Sequence, residues 1–73
     1  MIYKEIGIYL SVHRQLYGYS IEDIAEMLDV SPSTVWRWEN GIIKISLHYL
    51  DQYLHLINRE LTIKVKVYEN NKK

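Results

Sequence analysis

Helical spacing of apolar residues runs through the first 58 positions and then gives way to strict alternation. That change of period most constrains the fold, because a 3.6-residue repeat buries one side of a helix and a two-residue repeat buries one face of a strand. Ile6, Tyr9, Leu10, Leu16 and Tyr17 recur at helical intervals in the first segment, and Gly18 suits its C-terminus. Ser20 is placed to cap a second helix, with Asp23 three residues on as a partial capping box. Ile21, Ile24, Ala25 and Leu28 make its apolar stripe, while Glu22, Asp23 and Glu26 lie on its wet side. Ser31 caps a third helix that starts at Pro32, where a missing N–H costs nothing, and Asn40-Gly41 ends it. Ser46 caps a fourth, whose expected buried stripe is Leu47, Leu50, Leu54 and Ile57. Beyond it Leu61, Ile63, Val65 and Val67 alternate with Thr62, Lys64, Lys66 and Tyr68, the pattern of a strand with one apolar face.

The expected architecture is therefore mainly α: a four-helix domain over 1–58, a C-terminal strand over 59–69, and a frayed tail over 70–73. A chain of 73 residues makes one domain. It hides only about 60% of its unfolded surface on folding, so extra stabilisation is expected. Cysteine is absent, which excludes disulfides and thiolate metal sites. No run approaches the ~18 apolar residues of a membrane span, and the N-terminus lacks a basic region followed by an apolar run. The reading is a cytoplasmic protein with no membrane partner.

Chemistry-bearing clusters are few. His48 and His55 lie seven apart on one helix, about 10.5 Å along the axis, too far to share an ion. His13 reads as a partly buried, hydrogen-bonded side chain. Glu22 and Glu26 suit the positive end of a helix better than acid–base work. No nucleophile stands with a base, and no glycine-rich phosphate loop is present. The expectation is no enzyme, no cofactor and no metal.

The stretch Y-S-I-E-D-I-A-E-M-L-D-V-S-P-S-T-V-W-R-W-E-N-G, from Tyr19 to Gly41, resembles the Cro and phage-repressor type of helix-turn-helix, the XRE family. The resemblance covers roughly residues 6 to 57. Its most specific pieces are S-x-E-D-I-A-E-M-L-x-V-S and S-T-V-x-R-W-E-N-G, at the right separation. Residue types fit the local geometry: Ala25 lets two helices approach, Asp29 tolerates positive φ in the turn, and Val30 and Val35 plug the angle between the helices. Ser31 caps the third helix, so its free N–H groups can face phosphate.

The resemblance implies that the third helix reads double-stranded DNA. By matching positions, Pro32, Ser33, Trp36 and Arg37 would face the bases, and Ser31, Thr34, Asn40 and Lys44 the backbone. Arg37 is the expected direct reader, since a guanidinium pairs with both acceptors of guanine. Arg14 and Glu39 match the family's internal salt bridge, a structural role. Departures are Ile21 where the family often has glutamine, the apolar loop Ile42-Ile43-Lys44-Ile45, Pro32 without a side-chain donor, and the bulky Trp36. Nine basic residues balance nine acidic ones, whereas DNA-binding domains more often carry a basic excess.

The strand finds no partner within the chain, so pairing Leu61, Ile63, Val65 and Val67 with a second copy is expected. Such a tail is similar to those of helix-turn-helix antitoxins and Cro-like proteins that dimerise through C-terminal strands. The resemblance implies a transcriptional repressor, bacterial or phage-encoded, acting as a homodimer on a near-palindromic operator. The other reading is a protein-interaction module, an antitoxin or adaptor with a toxin or other protein partner. It would use Trp36, Ile42, Ile43 and Ile45 as an apolar patch. Trp38 reads as core, packed on the fourth helix. Tyr49 and Tyr53 read either as interface or as amphipathic core filling.

Overall fold

The structure, a computed structural model, describes residues 2–59. Four helices follow in order: α1 (Ile2–Tyr17), α2 (Ile21–Leu28), α3 (Pro32–Glu39) and α4 (Leu47–Leu56). No strand occurs among the described residues, and the alternating segment Leu61 to Val67 lies outside them.

Each helix stops by the same device. A residue with positive φ follows it: Gly18 (φ 92°), Asp29 (φ 59°), Gly41 (φ 70°) and Asn58 (φ 58°). That residue and the next donate N–H groups back into the last turn. Gly18 donates to the Gln15 carbonyl at 3.0 Å and Tyr19 to Arg14 at 3.1 Å. Val30 donates to Ala25 at 2.9 Å, Ile42 to Arg37 at 2.9 Å and Arg59 to Leu54 at 2.7 Å. These are the paired bonds that satisfy otherwise orphaned carbonyls at a helix end. Three starts are equally defined. Ser20, Ser31 and Ser46 each accept the backbone N–H three residues on, from Asp23, Thr34 and Tyr49. At Ser20 the Asp23 carboxylate returns a bond to the cap's own N–H at 2.8 Å, closing the capping box.

α3 packs against both α1 and α2, and α2 also packs against α4. The core between them comprises Leu10 of α1, Ile24, Ala25 and Leu28 of α2, Val35 and Trp38 of α3, Ile45 of the connection, and Leu50, Tyr53, Leu54 and Ile57 at α4. The α4 stripe differs from the sequence expectation at one position. Leu47 is 63% exposed. It is the first residue of α4, beyond the reach of the core, and Ile45 turns in from the connection while Tyr53 fills the centre. Trp38 stacks on Tyr49 of α4 with ring centroids 5.2 Å apart.

Two glycines set how closely α1 approaches α3. A Cβ on Gly7 would stand 2.6 Å from the Trp38 carbonyl oxygen and closer still to that of Glu39. A Cβ on Gly41 would meet the Lys4 Cα at 2.8 Å. Any side chain at either place pushes the helices apart, so the approach exists because both positions lack one.

Candidate nucleic-acid interface

The site is built on α3, and α3 is held from below by a buried charge network. Arg14 and Glu39, 25 residues apart, are both buried. Arg14 Nε donates to Glu39 Oε2 at 2.8 Å, and Nη2 donates to Oε1 at 3.1 Å, a two-pronged pair. Arg14 Nη1 donates to the Tyr19 carbonyl at 2.9 Å, tying the end of α1 to the start of α2. The Tyr53 hydroxyl, from α4, donates to Glu39 Oε2. The hydrogen bond to Glu39 raises the Arg14 pKa, and burial, followed by the Glu39 bond, pushes the Tyr53 phenol above its ordinary range. Among the described residues every buried side-chain nitrogen and oxygen has a partner. One carboxylate on the inner face of α3 thus gathers groups from α1 and α4, which orients the helix as well as holding it.

The opposite side of α3 is open. Pro32, Ser33, Trp36 and Arg37 are all exposed, Trp36 at 49%. At the N-terminal end the Ser31 and Thr34 hydroxyls bond each other at 2.9 Å while Ser31 Oγ accepts the Thr34 N–H. At the C-terminal end Asn40 Nδ2 donates to the Trp36 carbonyl at 2.9 Å, so its side chain caps α3. Lys44 lies in the connection between α3 and α4. Its ammonium lies 5.5 Å from the Tyr3 ring centroid, and it lines an open apolar groove with Ile2, Ile6, Ile45 and Leu47. Ile42, 59% exposed, and Ile43 project from the loop after α3. Leu61, Ile63, Val65 and Val67 fall outside the described residues.

Sequence reasoning did not single out the Tyr53 hydroxyl or Gly7. Tyr53 has no local signal, because its partner is set by how α4 crosses α3. Gly7 has one: a glycine inside a helix costs about 1 kcal/mol against alanine, and a close backbone approach is a common reason to keep it.

A family profile described as Helix-turn-helix matches residues 13–63, which takes in α2, α3 and the turn between them. A protein of Pyrobaculum aerophilum, whose name assigns it provisionally to the HTH-type transcriptional regulatory proteins, is 32% identical over 66 residues. Those residues are 90% of this chain and 26% of the relative, so the chain spans about a quarter of that protein's length. No solved structure matches at comparable stringency. No helix among the described residues is long and apolar enough to cross a membrane. With two helices joined by a three-residue turn, the second capped by Ser31 and anchored through Glu39, and with the matching profile over the same stretch, the chain belongs to the helix-turn-helix family, of the Cro and phage-repressor (XRE) type.

Proposed function

We propose that this chain is a sequence-specific DNA-binding transcriptional regulator that presents α3 to the major groove. The observation that carries this is the two-sidedness of α3: an inner face fixed by Glu39 and an outer face of Pro32, Ser33, Trp36 and Arg37 free to meet base edges. Arg37 reads a guanine. Trp36 offers an apolar face suited to thymine methyls. The α3 N-terminus with Ser31 and Thr34, together with Asn40 and Lys44, positions the phosphates. The name of the Pyrobaculum relative favours the same reading.

Its most economical form is a repressor dimer. Residues 1–58 bind DNA, the segment 59–69 joins two copies through Leu61, Ile63, Val65 and Val67, and the two recognition helices meet half-sites about 34 Å apart. Such a dimer blocks polymerase at a near-palindromic operator. An antitoxin that represses its own operon is one specific version.

Selection from a random duplex library at two salt concentrations tests this, with mass determined on the same sample. Enrichment of a near-palindrome by a species of twice 8.8 kDa is the expected result. Salt-sensitive binding without enrichment removes sequence reading and leaves electrostatics alone. Arg37→Ala is expected to cost about 1–3 kcal/mol of specific binding and to relax selection at one base pair. Unchanged selection by that variant removes the readout role of Arg37.

One observation favours a second reading, a protein-interaction module. The exposed Trp36, Ile42 and Ile43 are large apolar groups on or next to the same helix, and Arg14 is committed to the interior and adds no charge to the surface. Failure to bind any duplex at low salt supports this reading over the first.

A further inference from the structure

α1 is apolar on two opposite sides. Leu10 and the aliphatic part of Arg14 face the core with Gly7. On the far side Ile8, Tyr9, Val12 and Leu16 fall within one arc of about 100° at helical spacing. All four are exposed, Val12 at 46% and Leu16 at 76%. Glu5, one turn before Ile8, is the charged residue in this arc; from Ile8 to Leu16 the arc holds no charge, where a surface helix normally turns charges outward. An outward apolar stripe of this length marks a covered surface.

Where the described chain ends says what covers it. Arg59 is pinned by its N–H bond to the Leu54 carbonyl, and its guanidinium donates to His13 Nδ1 at 3.2 Å. The His13 ring lies 4.0 Å from the Tyr9 ring, so the chain leaves α4 at the flank of the apolar stripe. Two residues later begins the alternation Leu61, Ile63, Val65, Val67. In the extended conformation that this alternation predicts, those four side chains would share one face about 20 Å long. The stripe from Ile8 to Leu16 runs about 12 Å along α1, within the reach of such a segment. Pairing the segment's edge with another strand satisfies its backbone but leaves the apolar face uncovered.

We propose that Leu61 to Val67 lays its apolar face on the outer face of its own chain's α1, over Ile8, Tyr9, Val12 and Leu16. Lys64 and Lys66 then point to water, and the segment's edge stays free to pair with a second copy. α1 becomes the middle layer of the subunit, with the helix-turn-helix on one side and the tail on the other. The inference stands independently of DNA binding.

The absence of cysteine makes a clean test. Val12→Cys and, as a reference on the wet face of α2 beyond its first turn, Glu26→Cys are made separately in the full chain, and each is reacted with a maleimide. The expected result is that Val12→Cys reacts about tenfold or more slower than Glu26→Cys, because labelling awaits local release of the tail. The protection is expected to be the same at two protein concentrations tenfold apart. It is expected to vanish when Ile63→Asp and Val65→Asp are added, with far-ultraviolet circular dichroism reporting that the helices remain folded; Ile63→Ser serves if the double change unfolds them. Equal rates for the two cysteines overturn the proposal without any tail substitution. Protection that grows with concentration assigns the face to a second copy instead, and protection that survives the tail substitutions assigns it to something other than this segment. Either result overturns the intrachain packing.

Discussion

Glu39→Gln isolates what the buried network does. The carboxylate accepts from Arg14 Nε and the Tyr53 hydroxyl at one oxygen and from Arg14 Nη2 at the other. A carboxamide can keep the first set with its oxygen, but its NH2 then faces the Nη2 donor. It also leaves the guanidinium buried without a counter-charge. Breaking a buried pair by removing one partner costs about 3–5 kcal/mol. A chain of 73 residues has roughly 4–11 kcal/mol of stability in all, so the variant sits near the edge of unfolding. Urea titration followed by tryptophan emission, in which buried Trp38 changes its surroundings on unfolding, reads the loss as a fall in midpoint at constant slope. The companion variant Arg14→Met/Glu39→Leu/Tyr53→Phe removes all three polar partners together. It is expected to recover most of the loss, because well-packed apolar replacements of a buried pair are often neutral or stabilising. A Glu39→Gln cost below about 1 kcal/mol is what an exposed, screened pair gives and refutes the buried-network argument. A triple variant no more stable than Glu39→Gln refutes the claim that the cost lies in the orphaned charge.

Three further outcomes follow from the same geometry. Gly7→Ala sets a methyl against the Trp38 and Glu39 carbonyls and is expected to cost about 1–3 kcal/mol by thermal or urea unfolding, although alanine is the better helix former. Asp29→Gly relieves a left-handed residue and is expected to raise stability by about 0.5–1 kcal/mol, whereas a loss there means the aspartate side chain itself holds the turn. Because the folded Tyr53 phenol titrates above its unfolded value of 10.0, its contribution is fully present below pH 10 and is lost as pH rises above it. The stability of the parent chain is therefore expected to fall more steeply than that of Tyr53→Phe above pH 10, by about 1.4 kcal/mol per pH unit, and parallel curves in alkaline urea titrations contradict this.

Local chemistry made the helix-turn-helix legible. The start of α2 at Ser20 with Asp23, the start of α3 at Ser31-Pro32, and its end at Asn40-Gly41 are all interactions within five residues of chain, so the order of residues alone specifies them. Asn58 shows the limit of that reading. It ends α4 with the same left-handed geometry as Gly18 and Gly41, yet asparagine is common enough elsewhere to carry little signal. Burial was legible where the period was regular, as in Ile24, Ala25 and Leu28, and not at the ends of helices, where Leu47 keeps the spacing but stays on the rim of an open groove.

The sequence by itself determined the helices, their caps and the helix-turn-helix family, because capping, turn chemistry and periodicity act over a few residues. The tertiary structure alone decided that the Arg14–Glu39 pair also takes in the Tyr53 hydroxyl, that Gly7 is a contact point between α1 and α3, and that α1 carries a second apolar face. Each of these depends on where one helix lies across another, and that crossing is the joint result of all the packed side chains; a glycine inside a helix hints at a close approach but does not say to what.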